Sequence, residues 1–270
     1  MPFEQTPKFT VLANDGNARV GELSTNRHSL QTPTFMPVGT RGSVRTITSQ
    51  DLEELGADII LGNTYHLMLR PGEELIKEFG GLHGFANWDR LILTDSGGYQ
   101  VFSLEPDVDD EGVTFKSTYD GSYHRLTPET AVEIQNSLGS DIQMALDVCP
   151  PLPAEKEVIE LAVERTHLWA QRARRHFLNL KTGLAEDRSQ FGIVQGGLDL
   201  SLRKKSAEQI VEIGFDGYAI GGLSVGETRE EMLEPMSEST KCLPSERPRY
   251  FMGLGDPAGL VEAISCGVDM

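Results

Sequence analysis

The chain has 270 residues, 24 of them Lys or Arg and 41 Asp or Glu, which leaves a formal net charge of −17. With 39% hydrophobic and 24% charged residues its usage is ordinary for a globular protein, which excludes disorder or coiled coil as the main architecture; the length suits one large domain or two small ones. So acidic a balance argues against a generic nucleic-acid binder, whose affinity rests on phosphate contacts, although it does not forbid a local basic groove.

Short apolar runs alternate with amphipathic stretches along most of the chain. Thr34–Val38 reads as a strand and Ser49–Leu55 as a helix with a serine cap. Asp58–Leu61 is the next strand, Gly72–Phe79 a helix and Leu91–Thr94 a strand. Val101 to Arg125 breaks the rhythm with an acidic cluster (Glu105, Asp107, Asp109, Asp110, Glu111), followed by alternating residues on both sides of Asp120-Gly121. That is the pattern of a β-hairpin, expected here as an insertion over one end of the domain. Thr127-Pro128-Glu129 then starts a helix, with Pro near the first turn, that runs to about Leu138. Ile142–Leu146 is a strand. Glu155–Phe177 is a long helix with Val158, Leu161, Ala162, Leu168, Trp169 and Ala173 on or near one stripe. The alternation continues with a strand Phe191–Val194, a helix Ser201–Ile213 and a strand Gly217–Ile220. A helix Arg229–Ser237, a strand Arg249–Met252 and a helix Ala258–Ser265 complete it.

This order predicts one α/β domain over residues 1–270, a (β/α)8 barrel of TIM type with the β-hairpin insertion. Seven strands are legible as far as Met252, and Val268-Asp269-Met270 reads as the approach to an eighth.

Barrel enzymes work at the carboxyl ends of their strands, and here those ends are polar and rich in glycine. Leu91–Thr94 leads into Asp95-Ser96-Gly97-Gly98-Tyr99-Gln100, and Ile142–Leu146 into Asp147-Val148-Cys149. Ile193-Val194 leads into Gln195-Gly196-Gly197, Tyr218–Ile220 into Gly221-Gly222-Leu223-Ser224, and Tyr250–Met252 into Gly253-Leu254-Gly255-Asp256. Asp and Gln offer paired donors and acceptors to a planar heterocycle, and Gly lets a backbone N–H come close to it. A single Gly-Gly is an ordinary loop turn and a single Asp an ordinary cap; five such deliveries to one face point to a binding site.

Elsewhere the polar residues read more plainly. His66 follows a strand and either touches substrate or holds a neighbour by a hydrogen bond. His28, His83, His124, His167 and His176 have no metal-ligand spacing. His167, Arg172, Arg174, Arg175 and His176 on the long helix form a solvated face, with a phosphate patch as the other reading. Cys149 lines the expected pocket but has no obvious base to make it a nucleophile. The three cysteines, Cys149, Cys242 and Cys266, are scattered and fit neither a disulfide framework nor a zinc knuckle. The start, Met1 to Lys8, lacks a signal-peptide pattern, and no run of about 18 apolar residues is present to span a membrane. A cytoplasmic protein is expected.

Several longer motifs carry a resemblance. Pro33–Thr40, Ile60–Leu67 with Leu69–Gly72, Thr94–Ser103, Asp120-Gly121-Ser122, Glu133–Asn136, Gly192–Gly197, Ile220–Glu227 and Arg249–Gly253 are similar, in order and along essentially the whole chain, to the tRNA-guanine transglycosylases, also called queuine tRNA-ribosyltransferases, of bacterial type. The resemblance implies exchange of guanine at the wobble position of tRNA with a GUN anticodon for a 7-deazaguanine, preQ1, in queuosine biosynthesis. An aspartate attacks the ribose C1′ and forms a covalent intermediate. By the same resemblance Asp95 is the acid/base aspartate, with Ser96, Gly97 and Gly98 beside it. Asp147 and Gln195 read the guanine edge, the Gly222 N–H meets the base carbonyl, and Tyr99 and Met252 sandwich the base. Leu223 and Glu227 match the positions that accept the aminomethyl group of preQ1, Cys149 and Val225 look bacterial, and Gly253, Leu254, Gly255, Asp256, Pro257, Ala258 and Gly259 match a loop that contacts tRNA. A homodimer is common among such enzymes.

The chain departs from the family pattern in three places. Val148 stands between Asp147 and Cys149 where many bacterial members have Glu, and Asp256 stands where some relatives are basic. The family's nucleophilic aspartate, last barrel strand, structural zinc site and basic RNA-binding segments lie beyond the stretch matching Gly267–Met270, so this sequence reads as C-terminally incomplete, with no zinc ligands of its own. Two other classes stay open at this level. One is a non-catalytic transglycosylase-like subunit that binds tRNA or a partner. The other is a glycosidase using Asp95 and Asp147 as its two carboxylates, although Gly-Gly and Gln suit a base better than a sugar.

Overall fold

A computed structural model describes residues 8–180 and 187–270; the first seven residues, part of the start read above as lacking a leader pattern, lie outside the described residues. Three antiparallel strands come first: β1 (Lys8–Asp15), β2 (Ala18–Ser24) and β3 (Ser29–Thr32). They have no counterpart in the sequence reading. The alternating part then runs α1 (Ser49–Glu54), β4 (Ile59–Gly62), α2 (Thr64–Leu69), α3 (Glu73–Glu78), α4 (Leu82–Ala86), β5 (Leu91–Thr94) and α5 (Gly98–Phe102). A second antiparallel sheet of β6 (Asp107–Val108), β7 (Val113–Lys116) and β8 (Tyr123–Leu126) interrupts it. There follow α6 (Pro128–Leu138), β9 (Ile142–Met144), α7 (Lys156–Leu180), β10 (Ser189–Val194) and α8 (Leu200–Ile213). The last elements are β11 (Gly217–Ile220), α9 (Arg229–Cys242), β12 (Arg249–Phe251) and α10 (Pro257–Ser265).

The main sheet is parallel, in the order β12-β11-β10-β9-β5-β4, and curled, as expected for a TIM-type α/β fold. Its strands are buried on both faces, because helices cover the outside and side chains fill the inside. The period of two sorts them. Ile59, Leu61, Leu91, Leu93, Ile142, Met144, Phe191, Ile193, Ala219 and Tyr250 meet in one inner cluster. Their neighbours Ile60, Ile92, Val194 and Ile220 pack outward with the helices.

Both edges of the sheet are extended by short segments. Beside β4, Leu61 N–H donates to Pro37 O (3.0 Å) and Gly39 N–H to Leu61 O (2.7 Å). Beside β12, Met270 N–H donates to Arg249 O (3.1 Å) and Phe251 N–H to Met270 O (2.9 Å), the slanted pattern of a parallel pair. Thr34 N–H then donates to Asp269 O (2.9 Å), so the two edges meet at that end, and the approach to an eighth strand at 268–270 occupies the eighth position of the ring. The first sheet packs across this end of the barrel through Phe9, Leu23 and Leu30. There the buried Arg19 donates to Asp269 Oδ1 (2.8 Å), to Asp269 Oδ2 and to the carbonyls of Ser245 and Arg247 (both 2.7 Å). Asp269 Oδ2 also accepts from Arg249 N–H (2.7 Å). A buried pair satisfied on every side holds geometry rather than adding much net stability.

Three sequence expectations are corrected. Thr34–Val38 is not a regular strand; it makes one bridge, Val38 to Leu61, because Pro33 and Pro37 have no N–H to give a ladder. The cap of α1 is Thr48 and not Ser49: Thr48 Oγ1 accepts from Asp51 N–H (3.1 Å), and Asp51 Oδ2 accepts from Thr48 N–H (2.8 Å). The stripe on α7 runs through Ile159, Ala162, Val163, Thr166, Trp169, Ala170, Ala173 and Phe177, true 3–4 spacing, which leaves Val158, Leu161 and Leu168 about half exposed. The hairpin expected around Asp120-Gly121 is present, its six-residue loop closed by Ser117 N–H donating to Ser122 O (2.8 Å) between paired β7 and β8.

Candidate active site

Asp95 follows β5 and lies 9% exposed. Its carboxylate accepts from Asn63 Nδ2 (2.5 Å), Thr64 N–H (2.7 Å) and Gly97 N–H (3.1 Å), and the Thr64 hydroxyl donates to its carbonyl (2.5 Å). Burial nevertheless pushes its pKa above the usual carboxylate range, against those donors. Ser96 is buried, and its Oγ accepts from Gly98 N–H (3.2 Å). Gly97, at φ +82°, caps the short α5; that backbone turn places Tyr99, 58% exposed, at the cavity mouth.

Asp147 follows β9 and Gln195 follows β10. Both are buried, and Gln195 Nε2 donates to Asp147 Oδ2 (2.6 Å). Burial, and after it the nearby charge of Asp95, raise Asp147 to about 6, while the Gln195 bond works against the rise. The Gln195 backbone is held in turn, its N–H donating to Ser206 Oγ of α8 (2.9 Å).

Gly222 sits at φ +63°, and a Cβ on it would come within 2.2 Å of Gln195 Oε1. Only glycine allows the backbone of the β11 end to lie against that amide. Leu223 turns into the helix-facing core. Ser224 takes a left-handed φ of 60°, and Glu227 holds it there, accepting from the N–H groups of Ser224 and Val225 (3.0 Å for Val225). Glu227 therefore spends its carboxylate on its own loop and does not line the cavity.

The cavity these ends enclose measures about 540 Å³, within the range of small-molecule sites. Asp95, Ser96, Tyr99, Asp147, Cys149, Gly222, Leu223, Met252, Gly253, Leu254 and Gly255 line it; Gln195 stands immediately behind Asp147. Phe35, Val38, Leu260, Val268 and Met270 make its apolar half. Burial and the charge of Asp147 push the Cys149 thiol up to about 12, with a Gly222 backbone hydrogen bond acting the other way; it is a neutral lining group and not a thiolate. Asp256 is the N-cap of α10, accepting from Gly259 N–H (3.0 Å), and it pairs with Arg229 (2.6 Å). Pro257 and Ala258 are exposed on the first turn of α10, and Gly259 is buried beneath them.

His66 does not line the cavity; its Nδ1 meets the Tyr119 hydroxyl (2.9 Å). On α7, Arg172 grips Glu129 (2.9 and 2.8 Å) and Arg174, buried, grips Asp216 (2.8 and 3.2 Å). The solvated-face reading is therefore corrected for those two, whose guanidinium groups are each satisfied by a carboxylate of a neighbouring element. Among the described residues no three His, Cys, Asp or Glu side chains gather as metal ligands, and no helix is long and apolar enough to cross a membrane.

Sequence reasoning missed Arg203. It is 0% exposed and donates to the carbonyls of Gly197 (2.7 Å), Val194 (3.2 Å), Gly221 (2.6 Å) and Gly222 (2.9 Å). No carboxylate stands within ion-pair distance of it among the described residues. Five fixed donors match a ring of carbonyls as no other side chain does. The signal was present: Arg203 lies on the buried stripe Leu202, Arg203, Ser206, Ala207, Ile210 of α8, where a cation is out of place unless it serves something behind it.

A family model described as Queuine tRNA-ribosyltransferase matches residues 15–270. The chain belongs to that family. Among its relatives, the protein called Queuine tRNA-ribosyltransferase from Thermotoga neapolitana is 54% identical over 264 residues, 97% of this chain and 70% of the relative. Proteins of the same name from Solidesulfovibrio magneticus and Zymomonas mobilis are 52% and 50% identical over 266 and 264 residues. They cover 97% of this chain in each case, and 70% and 68% of those relatives. In this member of the queuine tRNA-ribosyltransferase family the buried Asp95, the Asp147–Gln195 pair and the Gly221-Gly222 turn stand together at one end of the sheet.

Proposed function

We propose that this member of the family is a pentosyltransferase that exchanges guanine in tRNA for a 7-deazaguanine in queuosine biosynthesis, with preQ1 as the incoming base and the wobble position of GUN anticodons as the target. The observation that carries this reading is the hydrogen-bonding set in the cavity wall and immediately behind it. A carboxylate (Asp147), a primary amide tied to it (Gln195) and a close backbone N–H (Gly222) match the donors and acceptor along the edge of guanine. Tyr99 and Met252 at the mouth supply the faces between which a flipped base is held. A sugar would ask for separated carboxylates with solvent between them and has no use for that amide-backed edge.

Asp95 is the proton carrier in this reading. Its raised pKa lets it give a proton to departing guanine and take one from the incoming base. The nucleophile is a carboxylate reached from the strand position that 268–270 begins. Its oxygen bonds to C1′ as the bond from C1′ to guanine breaks, and the incoming base reverses the exchange. Zinc stays an expectation of the family resemblance, with no ligand set among the described residues and no part in these steps; a homodimer and a cytoplasmic location are further expectations of the same kind. A transglycosylase-like partner without chemistry has no need of three buried pocket groups.

The test is incorporation of labelled guanine into tRNA by the protein purified from its own source, with its intact mass compared with the 29.7 kDa of this chain. Asp95→Ala abolishes exchange, whereas Gln195→Ala mainly weakens guanine binding. Normal turnover by Asp95→Ala would sink the assignment, and a mass of 29.7 kDa with no exchange would favour the partner reading.

A further inference from the structure

Although the net charge is strongly negative, two exposed arginines that share one ring stand without a carboxylate within ion-pair distance among the described residues. They are Arg41, in the loop after Val38, and Arg70, at the end of α2. Both lie against one ring. The Arg41 guanidinium carbon is 5.4 Å from the Tyr119 ring centroid and that of Arg70 is 5.2 Å away. Arg41 Nη2 also donates to the Tyr119 hydroxyl (2.8 Å).

The wiring behind the ring is complete. Burial and the charge of Arg41 hold the His66 pKa down; His66 Nδ1 meets the Tyr119 hydroxyl (2.9 Å), whose oxygen accepts from Arg41. His66 packs edge-on against Tyr65 and Tyr119. Tyr65 in turn anchors the loop that carries Tyr119, its hydroxyl meeting Thr118 Oγ1 (2.9 Å) and accepting from Thr118 N–H (3.2 Å). Asp120, next along that loop, turns its carboxylate onto Ser122 (3.1 and 2.7 Å) and so away from the arginines. Two like charges are thus fixed around one ring at a cost in repulsion, with most of their N–H donors unspent. A phosphate accepts from such forks.

The cluster is also placed for a strand whose base enters the cavity. α2 spans the short distance between them: Asn63 and Thr64 at its start hold the Asp95 carboxylate, and His66, within one turn of 1.5 Å-per-residue rise, holds Tyr119.

We infer that Arg41 and Arg70, oriented by Tyr119 and His66, are a two-pronged clamp for the backbone phosphates of the RNA strand that delivers its base to the cavity. This rests on the base-exchange reading above and adds a specific RNA contact to it, on a surface beside the cavity built from the β7–β8 loop and α2.

The test uses the whole chain and a fluorescent anticodon stem-loop RNA, titrated by anisotropy at several salt concentrations. Changing Arg41 and Arg70 together to Gln lowers the slope of log affinity against log salt by about 1.4 to 2, for two lost phosphate contacts. The corresponding double Lys variant keeps the slope. Guanine affinity, measured by calorimetry, is the same in all three proteins, and Arg175→Gln, on the outer groove of α7, leaves the RNA slope unchanged. An unchanged slope in the double Gln variant, no RNA binding by the unaltered chain, or inorganic phosphate binding as tightly as the RNA would each overturn the clamp. Absence of guanine binding with a normal loss of slope would overturn the base-exchange reading and leave the clamp standing.

Discussion

Gly222→Ala tests whether the β11 turn holds the Gln195 amide in place. The backbone there has φ +63°, and a left-handed residue with a side chain costs about 1–2 kcal/mol. The added methyl carbon would stand 2.2 Å from Gln195 Oε1, so the amide has to swing away and give up its 2.6 Å bond to Asp147. A hydrogen bond to a charged group is worth about 1.5–3 kcal/mol. The two effects together predict a loss of about 2.5–5 kcal/mol in urea unfolding, with guanine affinity falling by more than about tenfold because donor and carboxylate no longer face the same edge. Repeating Gly222→Ala in a Gln195→Ala background separates the parts: only the backbone cost remains, leaving a coupling of about 1.5–3 kcal/mol. Additivity within about 0.5 kcal/mol, or guanine binding as tight as in the unaltered protein, would refute the argument that glycine is there for the amide.

Two further substitutions probe the charges under the site. Asp147 titrates near 6 in the folded protein against 3.8 ordinarily, so folding favours its protonated form and stability is lost as pH rises from about 4 to 6. Asp147→Asn should therefore be the more stable protein above pH 6, by on the order of 1–3 kcal/mol, and no more stable below pH 4, while losing guanine affinity; equal thermal unfolding midpoints at pH 7.5 would contradict the burial argument. Arg203→Met removes the donors to four carbonyls and should destabilise by about 3 kcal/mol or more, with Arg203→Lys recovering only part because an ammonium cannot span the same ring. A Met variant as stable as the parent in denaturant would mean those carbonyls do not need the guanidinium.

Much of the architecture was legible because parallel strands buried on both faces leave compact apolar runs. Gly217–Ile220 and Leu91–Thr94 carry no polar residue before their carboxyl ends except Thr94 and the Tyr218 hydroxyl, and both were placed to the residue. The misses have local causes. β1 has one fully buried side chain among eight residues, so the apolar alternation that marks a strand is nearly absent from it. The helices α2, α4 and α5 have five or six residues each, too few for a helical period to repeat. The helix read as Arg229–Ser237 continues to Cys242.

The site divides in the same physical way. Asp95, Asp147, Gln195 and Gly222 could be picked out because strand ends are where a barrel presents its chemistry, and a reader needs only the strand to find the end. What could not be picked out is what holds them. Asn63 and Thr64 reach Asp95 from the neighbouring strand's loop, and Ser206 and Arg203 reach Gln195 and the Gly221-Gly222 turn from a helix. Each of these contacts is set by packing between elements, which no spacing along the chain encodes. Arg203 is the instructive exception, since a cation in the middle of a buried helical stripe is a conflict that the sequence does display. A conflict of that kind resolves only if the fold brings carbonyls to it, and the carbonyls it meets are those of Val194, Gly197, Gly221 and Gly222 at the ends of two neighbouring strands. Charge buried without a counter-charge is here the sign of a strand-end backbone being held in place, and it would repay the same scrutiny as a perturbed carboxylate in a chain with no recognisable motif.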